Sequence, residues 1–153
     1  MRIYLGLGTN LGDKELNLRV AVQKIEERIG KVISLSAFYA TAPWGFQSDN
    51  NFLNAAAGVE RYLSPFDILE RTQQIEQEIG RLHKSHDGVY SDRLIDIDLL
   101  LYGDKILQDE RLSLPHPLMA ERKFVLEPLA EIAPDVVHPV LHKTIRELFL
   151  VLS

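Results

Sequence analysis

The chain has 153 residues, 46% of them hydrophobic and 25% charged, with a formal net charge of −5 and no cysteine. One domain over residues 1–153, built on a single core, is expected. The acidic balance argues against a broad nucleic-acid footprint, and without cysteine there is neither a disulfide framework nor a thiolate metal site. No apolar run approaches the ~20 residues of a membrane span, and the first residues lack the pattern of a signal peptide. A cytoplasmic protein without a membrane or nucleic-acid partner is therefore the expectation.

Arg2 to Thr9 alternates apolar residues and predicts a first strand. The stretch Gly6-Leu-Gly8-Thr-Asn10-Leu-Gly12 matches neither of the glycine-rich nucleotide-loop spacings. Gly8 and Gly12 are read instead as a tight strand-to-helix turn, with Asn10 bonding to nearby backbone. Leu11, Leu18, Val22, Ile25 and Ile29 trace a helical stripe that Gly30 ends. Val32 to Thr41 predicts a second strand, and Ala42 to Asn51 a breaker-rich loop carrying Trp44 and Phe46. Phe52 to Tyr62 predicts a third strand, where period two puts Phe52 and Asn54 on one face. An aromatic plate beside a carboxamide can clamp a flat heterocycle. Ser64-Pro65-Phe-Asp67 starts a second helix with Ile68, Leu69, Thr72, Ile75 and Ile79 as its apolar face and Gly80 as its stop. Gln73 and Glu76 share another face of it. A loop from Arg81 to Arg93 follows, long enough to suggest a function.

Arg93 to Tyr102 is a short apolar run closed by the turn signal Gly103-Asp104, and it predicts a buried strand. Residues two apart on a strand share a face, so Asp96 and Asp98 point the same way with Cα atoms roughly 6.5 Å apart. Two carboxylates among apolar residues repel each other and lose solvation, so a positive group must compensate. Mg²⁺ suits such a pair, above all when phosphate oxygens complete its shell. Arg81-Leu-His83-Lys84-Ser-His86 and Arg111-Leu-Ser-Leu-Pro-His116 flank the strand with positive or titratable side chains, a pattern suited to a small phosphorylated ligand. Beyond it, Val125 to Ile132 and Thr144 to Leu152 carry short helical patterns among several prolines. The order β-α-β-β-α-β resembles the ferredoxin-like α+β arrangement: an antiparallel sheet with helices packed on it, here with a C-terminal helical extension.

Motifs along nearly the whole chain fall in a recognisable order. They are Leu7-Gly8-Thr9-Asn10-Leu11-Gly12, Phe38-Tyr39-x-Thr41-x-Pro43, Phe52-Leu53-Asn54-Ala55, and Gln73-x-Ile75-Glu76 ahead of Gly80-Arg81. Then come Arg93-x-x-Asp96-x-Asp98-x-x-x-Tyr102-Gly103, Pro115-His116 and Arg122-x-Phe124-Val-Leu-x-Pro128. In these the chain resembles the 6-hydroxymethyl-7,8-dihydropterin pyrophosphokinases of folate biosynthesis. The resemblance implies transfer of pyrophosphate from ATP to the pterin's hydroxymethyl group by in-line attack at the β-phosphorus, releasing AMP, in a monomer. It implies two Mg²⁺ ions on Asp96 and Asp98, which with Arg81 and Arg93 would form the catalytic group. Arg81, Arg93, Arg111, His116 and Arg122 would face the triphosphate. Gln73 and Glu76 would also line the ATP site, the backbone of Leu99 would read adenine, and Ser113 would lie near the ribose. Phe52 and Phe124 would sandwich the pterin beside Asp96, its polar edge met by Asn54 and the backbone of Thr41, Ala42 and Trp44. The chain departs from the family's Arg-x-x-Arg-Trp-Gly-Pro over Leu82–Asp92, where His83 and Tyr90 are the nearest stand-ins for ATP-binding groups. A two-metal phosphohydrolase would want more carboxylate or histidine ligands than this. A non-catalytic ferredoxin-like binding module would leave the costly Asp96/Asp98 pair unexplained.

Overall fold

Odd-numbered Ile3, Leu5 and Leu7 turn to one side of the first strand, while Tyr4, Gly6 and Gly8 turn to the other, so both faces of the sheet can be covered. In a computed structural model that describes residues 2–41, 51–60, 63–82 and 94–153, both faces are. The elements are β1 (Arg2–Thr9), α1 (Lys14–Arg28), β2 (Lys31–Leu35), β3 (Tyr39–Thr41) and β4 (Phe52–Glu60). They continue as α2 (Pro65–Leu82), β5 (Asp96–Tyr102), β6 (Leu107–Gln108), β7 (Ser113–Leu114), α3 (Lys123–Ile132) and α4 (Ile145–Leu152). The main sheet runs β2-β4-β1-β5, every pair antiparallel, with β3 pairing β4 beyond the end of β2. The expected ferredoxin-like α+β core is thus present.

Helices α1 and α2 bury their apolar stripes against the face made by Ile3, Leu5, Leu7, Ala55, Ala57 and Val59. The C-terminal extension covers the opposite face, where Leu126, Leu129, Ile145 and Leu148 close over Tyr4, Ala56 and Leu100. This second layer stops short of one end of the sheet, and that end carries the polar residues discussed below. Thr144 starts α4 with a reciprocal cap: its hydroxyl accepts from the Glu147 amide at 3.1 Å, and the Glu147 carboxylate accepts from the Thr144 amide at 2.9 Å. The bond from the Thr144 amide first, and the Thr144 hydroxyl second, hold the Glu147 carboxyl below its ordinary pKa. Thr144→Ala is accordingly expected to lower the midpoint of thermal unfolding by a few degrees at neutral pH. A carboxyl with a depressed folded pKa contributes above its unfolded pKa and loses that contribution as pH falls. The amide bond, the larger cause, survives Thr144→Ala, so the stability gap that should narrow in acid is the one between the parent and Glu147→Ala, followed by circular dichroism.

Three features differ from the pattern read in the sequence. The predicted second strand is two, because buried Ser36 interrupts it: its amide donates to the Ala56 carbonyl and its hydroxyl accepts from the Ala56 amide, both at 2.9 Å. Gly80 does not stop α2, which runs on to Leu82. No atom lies within 4 Å of a Cβ added there, and a glycine within a helix costs only about 1 kcal/mol. Gly8 belongs to β1 rather than to the turn, which falls to Gly12 with its φ of +67°.

Candidate active site

Strand register assembles the site from distant parts of the chain. Tyr39 pairs with Asn54, Asn54 with Gly8, and Gly8 with Asp96, so one row crosses β3, β4, β1 and β5. The neighbouring row runs Ala56–Gly6–Asp98, and Thr41 lies opposite Phe52. Paired residues of adjacent strands share a face, so Phe52, Asn54, Asp96 and Asp98 all lie on the side covered by α3 and α4. A side chain at Gly8 would fill the space between Asn54 and Asp96, since its Cβ would sit 2.9 Å from Asn54 Oδ1 and 3.8 Å from the Phe52 ring. Gly8 therefore leaves a hollow in the sheet face.

Asn54 is 4% exposed, and its Nδ2 donates to Thr41 Oγ1 at 2.8 Å. With the amide hydrogens held on that side, Oδ1 is turned to the Gly8 hollow as an acceptor. Phe124 comes up in the first turn of α3, and the Arg122 guanidinium lies 5.8 Å from its ring centroid, within cation–π range. Asp96 and Asp98 are half-buried, on either side of Ile97, which is sunk in the core at 4% exposure. The Ile97 amide donates to Glu76 Oε2 at 2.8 Å, fixing Glu76 of α2 against the outer edge of β5. In an antiparallel ladder main-chain groups two residues apart face the same way, so the polar groups of Leu99 face that outer edge too. Gln73 is exposed on the same helix.

The segment after β7 is fastened to the aspartate strand. Leu100 is the extra residue of a bulge in β5, and its carbonyl accepts from the His116 amide at 2.9 Å. His116 Nδ1 accepts from the Leu118 amide at 3.3 Å, which leaves the ring hydrogen on Nε2. Burial first, and then the Arg122 cation, push its pKa down, while the Asp96 carboxylate pulls the other way. A neutral imidazole, an arginine and a carboxylate thus sit within electrostatic reach of each other. Arg111 is exposed with its guanidinium 5.2 Å over the Phe66 ring. Arg111, Ser113 and His116 share the wall of a cavity of about 1070 Å³ with Ile106, His138 and Leu141. Ala42, Trp44, His83, Tyr90 and Arg93, and the side chain of Arg81, lie outside the described residues.

Among the described residues no group of three or more His, Asp or Glu side chains is placed to hold a metal ion. Asp96 and Asp98 instead offer a two-carboxylate oxygen set. That fits Mg²⁺, which ordinarily takes one or two carboxylates plus substrate phosphates rather than an all-protein cage. Sequence reasoning missed the Gly8 hollow and the Thr41 hydroxyl that holds the Asn54 amide. Both depend on pairing between distant strands, and no local pattern signals them.

The match to known proteins places the chain among diphosphotransferases. Residues 4–134 match the family described as 7,8-dihydro-6-hydroxymethylpterin-pyrophosphokinase (HPPK). The 2-amino-4-hydroxy-6-hydroxymethyldihydropteridine pyrophosphokinase of Porphyromonas gingivalis is 49% identical over 139 residues, 90% of this chain and 93% of that one. The Aquifex aeolicus protein of the same name is 37% identical over 145 residues, 95% of this chain and 88% of that one. Wild-type HPPK-DHPS of Plasmodium falciparum shares the fold with a TM-score of 0.78 at 18% identity. That match covers 99% of this chain, which spans only 44% of the longer Plasmodium chain. The chain belongs to the HPPK family. It is an ATP-dependent pyrophosphokinase of folate biosynthesis, a family whose phosphoryl substrate is ordinarily handled with Mg²⁺.

Proposed function

We propose that this chain moves the β,γ-pyrophosphoryl group of ATP onto the hydroxymethyl oxygen of 6-hydroxymethyl-7,8-dihydropterin, with Asp96 and Asp98 at the centre of the reaction. The observation that carries the reading is the row Asn54–Gly8–Asp96, which sets an acceptor clamp and a carboxylate on one sheet face with an open hollow between them. The new oxygen–phosphorus bond forms in line as the bond from the β-phosphorus to the α-phosphate oxygen breaks, releasing AMP. Two Mg²⁺ ions held by Asp96 and Asp98 would neutralise the triphosphate and make the hydroxyl more acidic.

The protein's own groups position and neutralise. Arg122 brings a fixed positive charge next to the Phe124 wall, and His116 offers Nε2–H to a phosphate oxygen. Arg81, Arg93 and Arg111 complete the phosphate-facing set, with His83 and Tyr90 as the loop's contributions. The outward-facing main chain of Leu99 reads adenine, flanked by Gln73 and Glu76, and Ser113 meets the ribose. The pterin lies between Phe52 and Phe124, its polar edge on Asn54 Oδ1 and the main chain of Thr41, Ala42 and Trp44, beside Asp96. The one main sheet, with helices on both faces, supports the reading of one domain over residues 1–153. A monomer in the cytoplasm is part of the same proposal. In the described residues no helix is long and apolar enough to cross a membrane.

The test is to mix the protein with ATP, Mg²⁺ and the pterin alcohol and identify the products. AMP and pterin diphosphate in equal amounts are expected. Inorganic phosphate would point to a phosphohydrolase, and tight pterin binding without turnover to a binding module. Asn54→Ala and Phe124→Ala should weaken the pterin far more than the nucleotide. A lost partner for a buried polar edge costs about 1–3 kcal/mol, and a lost aromatic stack about 0.5–1.5 kcal/mol beyond its area. Calorimetry with each ligand decides it, and equal losses for both would assign the two residues to structure alone.

A further inference from the structure

Glu131 stands in the last turn of α3, exposed, where the helix dipole disfavours a carboxylate. Its contacts give a reason for that placement. The Ala37 amide donates to both of its oxygens, at 3.1 and 3.2 Å, and the Tyr39 hydroxyl donates to Oε1 at 2.5 Å. The hydrogen bond, with burial and then the carboxylate's charge adding to it, pushes the Tyr39 phenol up to about 12. Tyr39 heads the row that runs through Asn54 and Gly8 to Asp96. Phe124 and Glu131 are seven residues apart on one helix, so they lie along the same stripe, about 10.5 Å from each other along the axis. One end of α3 therefore carries an aromatic wall of the site. The other end is tied to the strand that carries Thr41, the partner of Asn54.

We propose that Glu131 is a positioning residue for the acceptor: by fastening the far end of α3 to Ala37 and Tyr39, it sets the gap between Phe124 and the sheet face bearing Phe52 and Asn54. The inference rests on the reading that these residues hold the pterin. A tilt of α3 by about 5° about its middle or far end moves the Phe124 ring by up to about 1 Å. Misplacements of that size can cost an enzyme ~10²-fold. The bonds themselves are exposed to water and add little to global stability, so the effect should fall on one ligand rather than on the fold.

The experiment measures binding of the pterin alcohol and of a non-hydrolysable ATP analogue to Glu131→Ala, Tyr39→Phe, the double variant and Asn54→Ala. Glu131→Ala, which removes the acceptor of both bonds, is expected to weaken the pterin about tenfold while holding the nucleotide within twofold. Tyr39→Phe, which keeps the Ala37 bond, should cost about threefold, and the double variant no more than Glu131→Ala alone, because both changes break one brace. Alkaline absorbance titration gives a separate readout of the brace. One of the chain's five tyrosines should ionise late in the parent and move back toward ~10 in Glu131→Ala. Unchanged pterin affinity in Glu131→Ala, alongside a clear loss in Asn54→Ala, overturns the positioning role and leaves the acceptor site standing. Equal losses of both ligands overturn it too. If Asn54→Ala also binds pterin normally, the acceptor site lies elsewhere and the inference falls with it.

Discussion

Asp96→Ala and Asp98→Ala are each expected to cut turnover by about a thousandfold or more without unfolding the chain. The side chains are half-buried and stand on the site face, while the strand is held by its pairing to Gly8 and Gly6 and by the burial of Ile97. Neither carboxylate is part of either apolar cluster, so removing one opens no core cavity. On the proposed reading, what is lost is a pair of oxygens that would help neutralise the triphosphate's charge, and a single such group commonly carries a factor of ~10²–10³ in rate. Removing one of two neighbouring like charges should leave stability unchanged or slightly higher. AMP release at saturating substrates gives the rate, and circular dichroism checks the fold. A variant with near-normal turnover and an intact spectrum would end the assignment of these carboxylates to the reaction centre.

Gly8→Val should produce a folded protein that has almost lost its acceptor. Gly8 does not have the positive φ that makes replacement costly at Gly12 and Gly103, and a β-branched residue suits a strand. The obstacle is space. A Cβ already lies 2.9 Å from Asn54 Oδ1, and that carboxamide is tied to Thr41 on its far side. Two further methyl groups would occupy the hollow between Asn54 and Asp96. We expect KM for the pterin to rise about a hundredfold, with ATP-analogue affinity within threefold, and Gly8→Ala to fall between parent and valine variant. Unchanged pterin KM in Gly8→Val would mean that the hollow is not where the acceptor sits.

Local periodicity was enough to find most elements and the pairing of two carboxylates on β5. Asp96 and Asp98 declare a shared face through period two alone, and the α1 and α2 stripes follow the helical repeat. The family resemblance then assigned roles that no pattern could. What stayed hidden depends on contacts between distant segments. Nothing in Val32 to Thr41 announces that the Ser36 side chain will take over a ladder position, because its partner is the main chain of Ala56. Gly8 reads as a turn residue until strand register sets it between Asn54 and Asp96. Gly80 is an ordinary stop signal by composition, and only the surrounding helix overrides it. The two-residue strands β6 and β7 are too short for any period to register. Glu131 meets Tyr39 across most of the chain, and no spacing rule connects them.

The central place of β1 bears on how the enzyme comes into being. This strand is made first, yet its partners on either side are β4 and β5, so it must wait for both to be synthesised. Such non-local pairings pay loop-closure entropy before they gain contacts, and they belong to the slower class of small-domain folding. Helices α1 and α2 can form early from local signals, but the two carboxylates proposed for the reaction centre are not in place until β5 docks and brings Asp96 beside Gly8. On the proposed reading the reaction centre therefore cannot form before the last strand of the core sheet docks, and a nascent chain that stops short of it is expected to be inactive.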